Sequence, residues 1–454
     1  VYRIGCGAGF SGDRVDAAQP VVAEIANAGH GGALIFETMG ERTLALGQIA
    51  RLRNPEAGFD PYLPQFLPPI LKPCIEAGIV IVGNFGCANP HAAARFIAAE
   101  AARQDLGEIR IAVVEGDDLL GKVDLAETER WDGDGALEPL GGEPVAINVY
   151  LGARPIAEAI TAGAQVVITG RVADPALVVG PLVAHFGWEW NDLDRIAAAT
   201  LAGHLLECGS QVSGGYFADP GFKDVPDVAR VGFPIAEVEA DGSFIITKPA
   251  GTGGLVDLRT VKEQMLYEIH DPSSYLTPDV TLDLSAVAVA QVGDNRVHVT
   301  GARGRPAPQK LKATVSYAGD WIGEAEISYA GSNALKRAEL AVEIIAERVS
   351  FRKLPVKMRA DIVGVCSVFD DDTGALRRTM RAPQDGDYRV RFAFSSTRED
   401  AIHGANQEVN ALYCCGPAGG GGVRLAARPR IRTQSHLVER ARVHPSFVFH
   451  GGVA

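Results

Sequence analysis

The sequence predicts an α/β fold. An N-terminal, mainly parallel, Rossmann-like sheet with helices on both faces is followed by an α+β C-terminal domain. Three observations lead there. Short apolar runs alternate with amphipathic stretches through the first half. Gly-rich turns fall where strands should end. From about Ser210 helices become rarer and alternating strand patterns take over.

In the first half, strands are expected at Val1–Cys6, Ala33–Phe36, Ile79–Val82, Arg110–Val114, Pro144–Ile147 and Gln165–Thr169. Helices are expected between them at Val15–Ala28, Tyr62–Ala77, Pro90–Gln104 and Pro155–Ala162, from apolar recurrence at i, i+3 and i+4. Pro90 and Pro155 sit near the starts, where a missing N–H costs nothing. Strand–helix–strand alternation implies right-handed crossovers and parallel pairing. In the second half, strands are expected at Ser243–Thr247, Val280–Ala290, Val297–Thr300, Lys312–Ser316, Gly323–Tyr329, Met358–Val365, Tyr388–Phe394, Val423–Leu425 and Arg430–Thr433. Helices are expected at Asn333–Val349 and near Glu399–Cys414. The domains divide as 1–230 and 231–454, closely packed because no low-complexity linker separates them.

Composition narrows the function. A chain of 454 residues with 47% hydrophobic and 22% charged content can bury a large core. A net charge of −13 argues against nucleic acid, whose phosphates demand a basic surface. The densest basic stretch, Arg424 to Arg442, is interleaved with apolar residues and suits a solvated strand or an inter-subunit contact in a homo-oligomer. No apolar run reaches the length of a membrane span. Seven cysteines lack ligand spacing, and with no leader-like segment they point to a reducing cytoplasm.

The candidate chemistry lies in the turns. Gly7, Gly9 and Gly12 match GxGxxG after the first strand, and Glu37 ends the second strand, where a ribose-binding acid would sit. This is the cofactor reading, with NAD as ligand. The spacing from Gly7 to Glu37 is long for it, and Asp13 would repel a pyrophosphate. A more general reading makes Gly9, Gly12, Asp13 and Arg14 an anion-binding turn; the plain alternative is a tight turn capped by Ser11 or Asp13.

Asn84 and His91 follow the third strand, with Asn89 before Pro90 as an N-cap. His91 suits general acid or base work. Glu115, Asp117 and Asp118 follow the fourth strand, and clustered acids can raise one another's pKa; a solvated acidic loop is the alternative. Arg171 is a candidate carboxylate clamp, and Asp174 reads as the next N-cap. Lys248 and Thr252 lie in a second Gly-rich turn that lacks the P-loop order. Cys208 or Ser210 could serve as nucleophile, but no base is placed beside either. No metal cluster is legible.

Long ordered strings carry a family resemblance. IGCGAGFSGDR, GHGGALIFETMGERTLA, GNFGCANPHAAA, VVEGDD, YLGARPIAEAITAGAQVVITGRVADPAL and ITKPAGTGGLVDLRTVKEQMLYEIHDP are similar to the acyclic terpene utilisation (AtuA) family. LLECGSQVSGGYFADPG and GEAEISYAGSNALKRAELAVEII extend the match, which runs from Val1 to about Leu437. The resemblance implies a role in the breakdown of branched acyclic terpenoids and supplies no catalytic residues.

The residues then favour an enzyme acting on a carboxylate or acyl-CoA by acid–base chemistry of the hydratase or lyase kind. His91, Glu115, Asp117 and Asn84 would be catalytic. Arg14 and Arg171 would hold the anion, converging with His91 and Glu115 on one cleft at the sheet's edge. The alternatives are a nucleotide-dependent oxidoreductase and a non-catalytic subunit of an acyl-CoA enzyme complex.

Overall fold

The computed structural model describes residues 1–131 and 143–451. The chain forms two compact units, Val1–Ser316 with Thr433–Ala454, and Tyr317–Arg432. Among the described residues there are twelve α-helices.

The first unit opens with β1 (Tyr2–Ala8), α1 (Ala18–Asn27), β2 (Gly32–Phe36), α2 (Glu41–Arg53), α3 (Leu63–Phe66), α4 (Pro68–Ala77) and β3 (Ile79–Gly83). Next come α5 (Pro90–Arg103), β4 (Ile111–Glu115), β5 (Glu129–Arg130), β6 (Ala146–Val149), α6 (Arg154–Thr161), β7 (Val166–Ile168), α7 (Ala176–Phe186) and α8 (Leu193–Glu207). It continues through β8 (Ile235–Val238), β9 (Phe244–Thr247), α9 (Leu258–Leu266), β10 (Tyr275–Leu276), β11 (Thr281–Asp283), β12 (Ala288–Gly293), β13 (Arg296–Thr300) and β14 (Arg303–Arg305). The long strand β15 (Lys310–Gly331) leads the chain into the second unit, which holds α10 (Ala334–Phe351), β16 (Lys357–Val363), α11 (Ala375–Thr379), β17 (Gly386–Ser396) and α12 (Glu399–Cys415). β18 (Gly421–Glu439) returns it, and β19 (Ser446–Phe449) is the last strand.

A ten-stranded sheet organises the first unit, in the order β12-β13-β9-β8-β1-β2-β3-β7-β4-β19. The block from β1 to β4 is parallel throughout. Its strands read as near-continuous apolar runs, as strands covered on both faces must. Ile4, Leu34, Ile35, Ile81, Val113 and Val167 are all fully buried. Each contributes roughly 1.5–3 kcal/mol by leaving water.

The sheet as a whole is mixed rather than mainly parallel. β8 pairs antiparallel with β1, and β19 pairs antiparallel with β4, so both flanks of the parallel block are covered. β6, expected among the parallel strands, instead pairs antiparallel with Ala313–Ser316 of β15. The units also do not part near residue 230. The strands β8, β9, β12 and β13 continue the first sheet, so the texture change there marks a switch from parallel to antiparallel pairing inside one unit.

Local chemistry fixes the helices that position the site. Asn89 caps α5 by accepting from the Ala92 N–H at 3.3 Å, with Pro90 at the first position. Gly78 and Gly187 end α4 and α7 in the left-handed conformation. In α7 residues 176–183 are all buried, so it shows no polar face to the periodicity test.

The second unit builds its own core. β16, β17 and β15 pair antiparallel, and Ile327, Tyr329, Val390, Phe392 and Phe394 meet Ala338, Ile345, Ile402 and Val409 of α10 and α12.

Candidate active site

Parallel strands send all their carboxyl ends to one edge, where α/β sheets bind ligands. The ends of β1, β2 and β7 meet there around a cavity of about 680 Å³. Gly9 and Phe10 follow β1; Glu37, Met39 and Glu41 follow β2; Arg171 and Asp174 follow β7. Glu207 and Cys208 come from the end of α8, Tyr150 from the residue after β6, and Lys310 and Lys312 from the start of β15. Met39, Trp131, Leu276, Leu311 and Leu437 add apolar wall.

Arg171 is the hub. It is 1% exposed, which for an arginine demands complete partnering. Its Nε donates to the Val172 carbonyl at 2.9 Å, and its two Nη groups donate to the Met39 carbonyl and the Asp174 carboxylate. The guanidinium lies 4.1 Å from the centre of the Tyr150 ring. Burial works against its charge, but Asp174, Tyr150, Glu37 and Glu41 outweigh that and keep it protonated. Arg171 thus ties the loops after β2 and β7 together. The clamp expected for a substrate carboxylate already grips the protein's own.

The acids around it divide by environment. Glu37 accepts from the Met39 N–H at 2.9 Å and from Asn84 Nδ2 at 2.8 Å. Burial, with the Asp174 charge added, pushes its carboxyl up to about 8. Glu41 has the opposite fate. Against the cost of burial, the Tyr150 hydroxyl at 2.5 Å and the Lys312 ammonium at 3.1 Å hold it down at about 2. Asn84 is fully buried; its Oδ1 accepts from the Thr38 N–H at 2.7 Å while its amide steadies Glu37. It therefore positions the β2 loop and lines neither cavity described here.

A second buried acid sits across the cavity. His204 Nε2 lies 3.0 Å from the Gln264 carbonyl, which can only accept, so that nitrogen carries a proton. His204 Nδ1 lies 3.0 Å from Glu207 Oε1. Burial pushes the imidazole down to about 4. Burial pushes the Glu207 carboxyl well up, the Asp174 and Glu268 charges adding to it and Arg171 opposing. Both shifts favour the neutral pair, with the acid donating to Nδ1.

His91 and Glu115 do meet, with Nε2 and Oε1 2.8 Å apart, but around a different, smaller cavity of about 310 Å³. Both side chains are nearly half exposed. Asn89, Asp117, Asp118, Lys122 and Asn148 line the same hollow. Asp117 is buried, and burial raises its pKa; its Oδ2 accepts from the Arg171 N–H and from Asn148 Nδ2, each at 2.9 Å. Its backbone contact to Arg171 is what remains of the expected convergence. The single cleft is two.

Arg14 lines neither cavity: Nη1 donates to the Val231 carbonyl at 3.0 Å and Nε to Asp16 at 3.0 Å. In the Gly7–Gly12 turn, Asp13 Oδ2 already accepts from the Gly9 N–H at 2.9 Å, so the protein supplies its own anion. Gly9 serves close packing instead, because a Cβ there would sit 2.4 Å from the Cys208 carbonyl carbon and the Gly209 nitrogen. Gly7 faces the Phe36 ring in the same way. Gly12 has φ 94°, which any side chain would strain. Lys248 turns inward to the Thr252 carbonyl at 2.7 Å, and the Thr252 hydroxyl to the Pro249 carbonyl at 2.6 Å; neither lines these cavities. Asp174 is not an N-cap, since α7 has no side-chain cap. Burial, with Glu207 beside it, pushes the Cys208 thiol up and away from nucleophile duty.

Tyr150, Lys312, Glu41 and His204 escaped sequence reasoning. Glu41 had a signal, four positions beyond Glu37 at the start of the helix that follows the same strand. Tyr150 and Lys312 come from strands, or the residue just after one, whose pairing the sequence does not display, and His204 from a helix buried nearly all round.

Among the described residues no group of three His, Cys, Asp or Glu side chains is arranged to hold a metal ion, and no helix is long and apolar enough to cross a membrane. No curated protein matches the chain. The family model described as "Acyclic terpene utilisation family protein AtuA" matches residues 2–449, nearly the whole length, and the chain belongs to that family.

Proposed function

We propose that this protein is an enzyme of acyclic terpenoid breakdown, acting on a branched carboxylate or its acyl-CoA by acid–base chemistry of the hydratase or lyase kind. One observation carries the reading: Glu37 and Glu207, two buried carboxyls whose burial raises their pKa, line one cavity with Glu41, which is held down at about 2. Environments that drive acids apart in pKa are what general acid–base catalysis requires. The apolar wall suits a branched hydrocarbon chain; Lys310 and Lys312 are paired with Glu129 at 2.5 Å and Glu41 at 3.1 Å, and an anionic end would share them. Seven free cysteines support a cytoplasmic setting.

The test is turnover of branched acyl-CoAs and their free acids by purified protein, followed by mass spectrometry. Glu37→Gln should lower turnover by at least about a hundredfold. The same loss in His91→Gln, with Glu37→Gln active, would move the chemistry to the smaller cavity. That second reading rests on the 2.8 Å His91–Glu115 contact. A thermal-shift series with NAD and CoA runs alongside, and a large shift with NAD alone would favour the oxidoreductase.

A further inference from the structure

The Glu207–His204 pair has a feature that proton chemistry in general does not explain. Glu207 is 7% exposed and lines the large cavity. Its Oε1 is committed to His204, while Oε2, itself buried, has no hydrogen-bond partner among the described residues, so a ligand in the cavity reaches it only with a small shift of the surrounding side chains. A buried oxygen left unmatched is costly, and such atoms in native proteins call for a ligand or a water.

The direction of the bonds around it says which kind of ligand. Gln264 fixes a proton on His204 Nε2, so Nδ1 of the neutral ring offers a lone pair to Oε1. In the neutral pair, the single carboxyl proton lies between Oε1 and Nδ1. Oε2 is then the carbonyl oxygen of a carboxylic acid and can only accept. The Tyr275 ring, its centre 5.5 Å from that of His204, helps enclose the pair, and Tyr275 also lines the cavity. A ligand meeting Oε2 must bring a donor, and one compatible with an anionic end near Lys310 and Lys312 is an uncharged hydroxyl.

We infer that Glu207, oriented by His204, is the hydroxyl-recognition group of the cavity, and that the substrate class is hydroxy-carboxylates or hydroxyacyl thioesters with a branched chain. This rests on the large cavity being the substrate site and adds which substrates it prefers.

The experiment compares two small probes that differ only by the hydroxyl, β-hydroxyisovalerate and isovalerate. Binding is measured by calorimetry and by protein NMR, with folding of each variant checked by thermal melting. Wild type should bind the hydroxy acid at least about tenfold more tightly, as expected for satisfying a buried acceptor. Glu207→Gln should keep the preference, because the amide N–H can donate to His204 Nδ1 and leave its oxygen facing the ligand. Glu207→Met should bind both acids equally, at the affinity wild type shows for isovalerate.

Equal binding by wild type overturns the inference while leaving the cavity as the site, as does a preference that survives in Glu207→Met. If neither acid binds, or binding perturbs only residues outside the cavity, the reading of the cavity fails and the inference with it. Should Glu207→Met not fold, the wild-type comparison alone decides.

Discussion

Replacing Arg171 by methionine removes the tie between two strand-end loops and leaves a carboxylate stranded. Three groups lose their donor: the Met39 and Val172 carbonyls and the Asp174 carboxylate. The face of Tyr150 loses its cation at 4.1 Å. Arg171 is fully buried, so little water can replace it. Breaking one side of a buried ion pair costs about 3–5 kcal/mol, mostly from the charge left behind; the Asp174 side chain keeps 37% of its surface exposed, so water screens part of that charge and the loss falls to about 2–3 kcal/mol. We expect a loss of that size in urea denaturation of Arg171→Met. Arg171→Lys should recover only part, because an ammonium cannot span the same fork. Adding Asp174→Asn to Arg171→Met removes the stranded charge, so the double variant should be more stable than the sum of the singles by about 1 kcal/mol or more. A loss below about 1 kcal/mol, or strict additivity, would refute the view of Arg171 as the hub.

Two further outcomes follow from the same geometry. Burial raises the Glu37 carboxyl from 4.5 to about 8, so the folded state holds its proton more tightly than the unfolded chain. Its contribution is full below about pH 4.5 and is lost as pH rises through about 8. Glu37→Gln should therefore flatten the decline in stability across that window, read from urea midpoints at constant salt; an unchanged slope counts against it. Gly9→Ala drives a methyl group to within 2.4 Å of the backbone at Cys208 and Gly209, and should cost about 1–3 kcal/mol as overpacking does. Gly40→Ala, with open space and φ −82°, is the control and should be nearly neutral in the same melts.

The parallel strands were legible because strands covered on both faces must be apolar along their buried length, and Ile79–Gly83 and residues 111–114 are. Pairing partners were not legible. Ala146–Val149 looks like any other buried strand, and only tertiary contact sends it to β15. β15 itself read as two strands because Ala318-Gly319-Asp320 interrupts the alternation, yet it is a single element that pairs with β6 before this point and begins its ladder to β17 at Trp321. For the site, strand-end loops flagged Glu37, Arg171, His91 and Glu115 correctly as edge residues. They could not say which loops share a hollow, since β7 lies between β3 and β4 in space but after both in sequence. His204 was hidden for another reason. It sits on a helix buried nearly all round, where a histidine looks like core.

The antiparallel closure of β4 by β19 has a consequence for synthesis. Ile111–Glu115 emerges from the ribosome with its outer backbone groups unmatched, and the residues that cover them, Ser446–Phe449, follow only after a long stretch of intervening chain. Until they are made the growing chain carries a bare apolar strand edge, the kind of template on which neighbouring chains pair. A chain that stops short of Ser446 would keep that edge open permanently, and its fate would be decided by concentration and chaperone capacity before any chemistry in the cavity could matter.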